Sequence, residues 1–319
     1  MADEETLDRI FTMEVGRCTE AAAVAASQMI GRGDKEGADQ AAVNALRTAF
    51  NKLEMQGTVV IGEGERDEAP MLYIGEEVGS GTGPKVDIAL DPLEGTTLTA
   101  KAMANALAVV AMAQGGTLLH APDVYMDKIA VGPGYPDGVV DLDASVEDNI
   151  TALAKAKGCP ASEITLCVLD RDRHAAIIAS ARKMGARVFM IPDGDVAGVF
   201  HTTESHTGID MYVGSGGAPE GVLAAAALRC VGGQMQGRLL FRNDDERERA
   251  ARAGITDLNR KYGLRDLASG DVIFAATGVT NGTMLDGVKW ENSHISTHTV
   301  VMRSKTGTVR YIRARTKRP

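Results

Sequence analysis

From residue 145 to residue 262 the chain alternates helix and strand patterns, an ordering that restricts the fold more than any other feature of its 319 residues. A helical pattern at 145–157 precedes a strand pattern at Ile164–Leu169, a helix at His174–Met184 and a strand at Arg187–Ile191. The strand Ile209–Val213, the helix Pro219–Cys230, the strand Gly237–Phe241 and the helix Asp244–Tyr262 continue the series. Such β-α-β ordering predicts a largely parallel or mixed sheet covered by helices. Closing strands are expected at Asp271–Thr277 and in the β-branched tail Thr297–Ile312. Before residue 145 the texture differs. Helical spacing at 5–30 and 39–53 is followed by strand patterns at Thr58–Ile61, Val86–Asp91, Ala106–Ala113 and Lys128–Val131. Their connections are too short for repeated crossovers, so this half reads as α+β layers. The expected fold is therefore α/β (α+β), with one domain over 1–145 and a second over 146–319.

Composition narrows the function. Hydrophobic residues at 44% and charged residues at 24% describe a folded globular chain. A net charge of −9 argues against a general binder of nucleic acid or anionic membrane, although local cations or metals inside a cleft still permit an anionic substrate. The start, MADEETLDRI, lacks a secretory pattern, and the apolar runs are too short to span a membrane, so a cytoplasmic protein is expected. Cys18, Cys159, Cys167 and Cys230 show no CxxC spacing and are expected to be reduced thiols. With Trp290 as its single tryptophan, the chain offers little for a base-stacking platform.

Acidic residues gather where strands end. VDIALDPLEGTT delivers Asp91 from an apolar strand, turns at Pro92, presents Glu94, and places Gly95, Thr96 and Thr97 at a helix start. Two carboxylates beside an exposed backbone and a hydroxyl suit a hard divalent cation next to a phosphate. Taken alone, the same segment also reads as an acidic turn with a helix cap. GRGDKEGAD supplies Lys35, a phosphate-sized point charge, and Asp39 at the expected start of a helix, where it also suits an N-cap. IGEGERDEAP crowds Glu63, Glu65, Asp67 and Glu68 behind a strand, an arrangement that repulsion disfavours unless a cation neutralises it. YVGSGGAPEG runs a strand into a helix with Pro219 and Glu220 in its first turn, whose N–H groups favour an anion.

A second set suits the body of a substrate. Arg171 and Arg173 follow the strand ending at Leu169, at the carboxyl end where α/β proteins bind ligands, and form a candidate fork for a non-reacting phosphate. Their plainer reading is surface ion pairing with Asp170 and Asp172. Asp193 and Asp195 hold the equivalent place on the next strand and suit sugar hydroxyls, while Tyr125 in APDVYMDK suits a phosphate or the core. No GxxxxGK[ST] or GxSxG segment is present, GSGGAPEG is not a dinucleotide loop, and the histidines are scattered.

Together, GRGDKEGAD, VIGEGERDEAPMLYIGE, DIALDPLEGTT, NALAVVA, APDVYMDK, VGPG, IPDGDVA and GGAPEGV resemble the class II, GlpX-type fructose-1,6-bisphosphatases, from about Glu14 to the C-terminal tail. DPLEGT also resembles the DPxDGT element of the wider metal-dependent sugar- and inositol-phosphatase superfamily, with Glu94 in place of aspartate. The resemblance implies the layered α-β-α-β-α sandwich of that superfamily. It implies metal ligation by Asp39, Glu63, Asp91, Glu94 and Glu220, with Mn²⁺ or Mg²⁺ as the cofactor. It implies substrate contacts from Leu93, Glu94, Gly95, Thr96, Tyr125, Arg171, Asp172, Arg173, Asp193, Gly194, Asp195 and Gly217. Lys35, Asp39 and Thr96 take the catalytic roles, Thr96 with an acidic neighbour such as Asp39 orienting the attacking water. Where some members read Lys-Pro-Arg, this chain has Arg171, Asp172 and Arg173, which changes how the distal phosphate is held.

The expected reaction is hydrolysis of D-fructose 1,6-bisphosphate to fructose 6-phosphate and phosphate. The resemblance suggests a homodimer or homotetramer acting on a small sugar bisphosphate, without nucleic acid or membrane. A dual enzyme that also cleaves sedoheptulose 1,7-bisphosphate is the close alternative. An inositol or nucleotide monophosphatase has little use for the Arg171/Arg173 pair, and a non-catalytic phosphosugar sensor leaves the five carboxylates without a purpose. A dinucleotide oxidoreductase is a further, weaker alternative, which an NAD titration would test.

Overall fold

The computed structural model describes residues 9–64 and 71–318, so Glu65, Asp67 and Glu68 of the second acidic segment lie outside the described residues. The chain forms two compact units, one running to Leu119 and resuming at Ala268, the other comprising His120–Leu267.

The first unit opens with helices α1 (Arg9–Ser27) and α2 (Lys35–Phe50). Small side chains, Ala22, Ala23 and Ala26 on α1 and Ala38 and Ala42 on α2, are buried in one apolar core with Val59, Ile88, Val110 and Ile273 of the sheet strands. Asp34 caps α2, its Oδ1 accepting from the Gly37 N–H at 2.8 Å. The helix therefore begins at Lys35, and Asp39, expected at the helix start, stands one turn inside. Next come β1 (Gln56–Ile61), β2 (Glu77–Val78), β3 (Lys85–Glu94), the short helix α3 (Thr96–Ala100) and β4 (Leu107–Gln114).

In the second unit β5 (Tyr125–Val131) and α4 (Val146–Lys157) lead into the alternating series. It runs β6 (Thr165–Leu169), α5 (Ala175–Lys183), β7 (Arg187–Ile191), α6 (Asp195–Phe200), β8 (Met211–Gly217) and α7 (Ala218–Val231). It ends with β9 (Gln234–Leu240), α8 (Asp244–Arg252), β10 (Lys261–Gly263) and α9 (Leu264–Leu267). Helix α8 stops ten residues short of the expected Tyr262, because Gly254 takes φ +80° just beyond it and ends the helical path.

The chain then returns to the first unit as β11 (Val272–Gly278), β12 (Lys289–Trp290), β13 (His294–Arg303) and β14 (Thr308–Lys317). The β-branched tail expected as one stretch of strand is thus a hairpin, reversed between Arg303 and Thr308, with Gly307 at φ +59°.

Both sheets are mixed, as the alternation allowed. Among the described residues the first unit's eight strands run β12-β13-β11-β4-β3-β1-β2, with β14 on β13, and β1–β3 is its parallel pair. The second unit's six strands run β10-β9-β5-β8-β6-β7. The chain divides elsewhere than the boundary expected near residue 145. Ser145 caps α4 inside the second unit, whereas β11 pairs antiparallel with β4 from Val272↔Ala113 to Gly278↔Leu107. That pairing joins segments more than 150 positions apart, which no local pattern announces.

In the second sheet β8 and β9 both run antiparallel to β5, while β6 runs parallel to both β7 and β8. The C-terminal ends of β6, β7, β8 and β9 and the start of β5 consequently share one end of the sheet. Among the described residues no helix is long and apolar enough to cross a membrane.

Candidate active site

The first unit collects the acidic residues. Lys35 and Asp39 are four positions apart on α2, hence on one face, the lysine exposed and the aspartate half-buried. The Asp39 and Glu63 side chains are hydrogen-bonded to each other. Burial raises the Asp39 pKa above the usual carboxylate range, with the hydrogen bond from Glu63 acting in the opposite direction. Two carboxyls in contact need either a shared proton or a cation.

Strand β3 carries Asp91 and Glu94 past an irregularity. Asp91 pairs with Val109 and Glu94 with Leu107, so the ladder shifts between them. Leu93 N–H donates to Asp91 Oδ1 at 3.1 Å, closing a local turn around Pro92. The bulge tolerates a proline in a strand otherwise buried on both faces, and it re-aims Glu94, which is 4% exposed. Gly95 follows at φ +89°, where a side chain is strained and its Cβ would meet Leu98, and Thr96 opens α3.

The second unit gathers the substrate candidates at one end of its sheet. Tyr125 begins β5 opposite Gly217 of β8 and Leu240 of β9. The Arg173 guanidinium lies 5.0 Å from the Tyr125 ring centroid, a cation–π distance, with Nη2 donating to the Ser215 carbonyl at 2.8 Å. Arg171 turns the other way, donating to the Pro192 carbonyl at 2.7 Å and standing 3.8 Å from Asp193. The expected two-arginine fork is thus opened, each arginine taking its own neighbours. Asp172 is exposed in the short turn between them.

Asp193 and Asp195, equivalent in sequence, are also separated. Asp193 is half-buried, while Asp195, 6% exposed at the start of α6, takes an ion pair from Lys128 at 2.5 Å. Lys128 is 1% exposed and also donates to the Gly217 carbonyl at 2.6 Å. Beside them, Glu220 Oε2 is buried without a hydrogen-bond partner among the described residues. Burial and the Asp195 charge push the Glu220 pKa up, and Lys128 pulls it down. Gly217 belongs here because any side chain would strike that carboxylate.

Sequence reasoning missed Lys128, His174 and Ser215, together with Arg242 and Glu246 beyond β9. A lysine inside the apolar strand YMDKIAV was the available signal for the first. His174 accepts the Ser215 N–H on Nε2 at 2.8 Å and donates from Nδ1 to the Leu169 carbonyl at 2.8 Å, so it is neutral and structural. Burial holds its pKa below the usual histidine value.

The donor set suits a hard divalent cation, since Asp39, Glu63, Asp91, Glu94 and Glu220 offer oxygen only. In the first unit the half-buried Asp39 interacts with Glu63, and in the second the Glu220 oxygen is buried without a hydrogen-bond partner among the described residues, so each unit separately holds carboxylate chemistry that a cation would suit. Among the described residues, no three His, Cys, Asp or Glu side chains stand together closely enough to hold one.

The family model for bacterial fructose-1,6-bisphosphatases encoded by glpX matches residues 9–316. The chain belongs to this family. It is a phosphoric monoester hydrolase whose reaction is the hydrolysis of fructose 1,6-bisphosphate, in a family of metal-dependent phosphatases. It is 47% identical to fructose-1,6-bisphosphatase 1 class 2 of Escherichia coli K12, over 96% of this chain and 95% of that one. Fructose-1,6-bisphosphatase class 2 from E. coli O6:H1 and from Shigella flexneri is similar to the same extent, at 47% identity over 96% of this chain and 95% of theirs.

Proposed function

We propose that Asp39, Glu63, Asp91, Glu94 and Glu220 hold Mn²⁺ or Mg²⁺ at the 1-phosphate of fructose 1,6-bisphosphate. The observation that carries this reading is the half-buried Asp39 carboxyl with the Glu63 carboxyl as its hydrogen-bond partner, two oxygen ligands that a bound cation would share. Such a cation supplies charge neutralisation on the phosphoryl oxygens and a water acidic enough to attack. The chain's own groups do the rest. Lys35, exposed at the start of α2, offsets phosphoryl charge, and Thr96 at the start of α3 orients the water with Asp39 as its acidic neighbour. The N-terminal N–H groups of α7, a fourteen-residue helix, add positive potential for an oxyanion.

Arg173 and Tyr125 hold the second phosphate, and Asp193 accepts from the sugar hydroxyls. Arg171, tied to Pro192 and Asp193, steadies that turn. The resemblance to the family further supports a homodimer or homotetramer working in the cytoplasm, and light scattering on purified protein tests the assembly.

Asp91→Asn should cut phosphate release in excess Mn²⁺ by about a hundredfold or more while the circular dichroism spectrum stays that of the native protein. Near-native turnover of this variant would sink the metal assignment.

A further inference from the structure

The loop after β9 places an arginine beside Tyr125 in a way that solvation alone does not explain. Leu240 pairs directly with Tyr125, and two positions on, the Arg242 guanidinium lies 4.8 Å from the Tyr125 ring centroid. Its side chain is 60% exposed, and an arginine that open to water ordinarily samples many rotamers. Here it is fixed. Arg242 Nε donates to Glu246 Oε1 at 2.7 Å, Nη2 reaches the same oxygen at 2.6 Å, and the Arg242 backbone N–H donates to Oε2 at 2.6 Å.

Glu246 itself is fully buried, and Asn243 at the N-cap of α8 accepts its N–H at 2.9 Å. Burial opposes ionisation of this carboxyl, but the Arg242 hydrogen bonds hold its pKa below the usual range. A buried carboxylate is costly, so spending one on an exposed arginine has to be matched by what the fixed guanidinium does.

Arg173 is built the same way. Its Nε and Nη2 are committed to Ser215, just as Nε and Nη2 of Arg242 are committed to Glu246, and in both the Nη1 edge is left for a ligand. Two guanidinium groups with anchored inner edges thus flank one tyrosine at the ligand-binding end of the sheet. Arg171, which the sequence pairs with Arg173, faces Pro192 and Asp193 instead. Asp123 and Glu246 each contribute a nearby negative charge, so the two arginines only balance the corner, and what they offer an anion is directed N–H donors rather than net charge.

We infer that Arg242, held by Glu246, is a specificity-determining residue that binds the non-reacting phosphate together with Arg173 and Tyr125. This rests on the reading, given above, that Arg173 and Tyr125 receive that phosphate.

The test is steady-state kinetics in Mn²⁺ on two esters, fructose 1,6-bisphosphate and fructose 1-phosphate, which lacks the second phosphate. Arg242→Ala should raise KM for the bisphosphate about ten- to a hundredfold, leave kcat within about twofold, and leave kcat/KM for the monoester within about twofold. Arg242→Lys keeps a charge facing Glu246 but loses the fork, and should fall between the two; it also separates loss of binding from loss of folding. Glu246→Gln should raise KM for the bisphosphate alone, by a smaller factor, because it frees the guanidinium without removing it. An unchanged KM for the bisphosphate in Arg242→Ala, or equal losses on both esters, would overturn the inference. Arg173→Ala, run alongside, separates the two readings. If it discriminates between the esters and Arg242→Ala does not, Arg242 alone is misassigned; if neither does, the distal-phosphate site itself is misplaced.

Discussion

The candidate residues of the two units are arranged in different ways. In the first, carboxyls are set beside one another: Asp39 shares a hydrogen bond with Glu63, and Asp91 and Glu94 are close together on β3. In the second, apart from Glu220, the buried charges come with partners, Lys128 with Asp195 and Arg242 with Glu246. A set of like charges is completed only by something from outside, whereas opposite charges already paired are positioned before any ligand arrives. Under the proposed reading, the first unit would be finished by a cation and the second would present fixed groups to the substrate.

The largest expected effect comes from breaking a pair in the second unit. Lys128→Met leaves Asp195 buried and uncompensated and should cost about 3–5 kcal/mol in urea unfolding. Lys128→Met combined with Asp195→Leu should recover much of that loss. A single variant as stable as the native chain would mean that the pair is not a structural element.

A somewhat smaller effect sharpens the contrast through pH. His201 is 2% exposed, and burial first, then the neighbouring His206, lowers its pKa to about 4. Its neutral form is thus the one the fold accepts. The stability it contributes is complete above the unfolded value near 6.5, falls as pH drops through that value, and levels off below about 4. Chemical denaturation at pH 7.5 and at pH 4 should show a loss of about 3 kcal/mol from this group, absent in His201→Asn. Parallel pH dependence in the two proteins would remove His201 from the account.

The smallest effect belongs to the first unit. Mn²⁺ at about a hundred times its dissociation constant should stabilise the protein by about 2.7 kcal/mol, and EDTA should reverse it. Glu63→Gln relieves the contact with Asp39, so it should melt higher than the native chain in EDTA and gain less from Mn²⁺. A lower melting point in EDTA would show that the pair is held by its shared hydrogen bond rather than strained.

Much of this was legible in the residues. Apolar and β-branched runs bounded by polar turns located β6, β7, β8 and α7 to within a few positions, since β6, β8 and α7 are buried nearly throughout and leave little room for polar residues. The helix α2 start was misread because Asp34 and Asp39 are both chemically able to cap, and only the backbone path selects Asp34. Arg171 and Arg173 looked like one fork because the sequence shows spacing and not side-chain direction.

The sequence alone determined the element types, the mixed α/β class and the membership of the family, since these depend on local periodicity and on long runs of residues in fixed order. Tertiary structure alone decided that residues 268–319 return to the first sheet, that Asp195 is matched with Lys128, and that Arg242 joins Arg173 beside Tyr125. Those outcomes depend on strand pairing across long stretches of chain and on which charge finds its counterpart in the folded interior, and neither is written in any short segment.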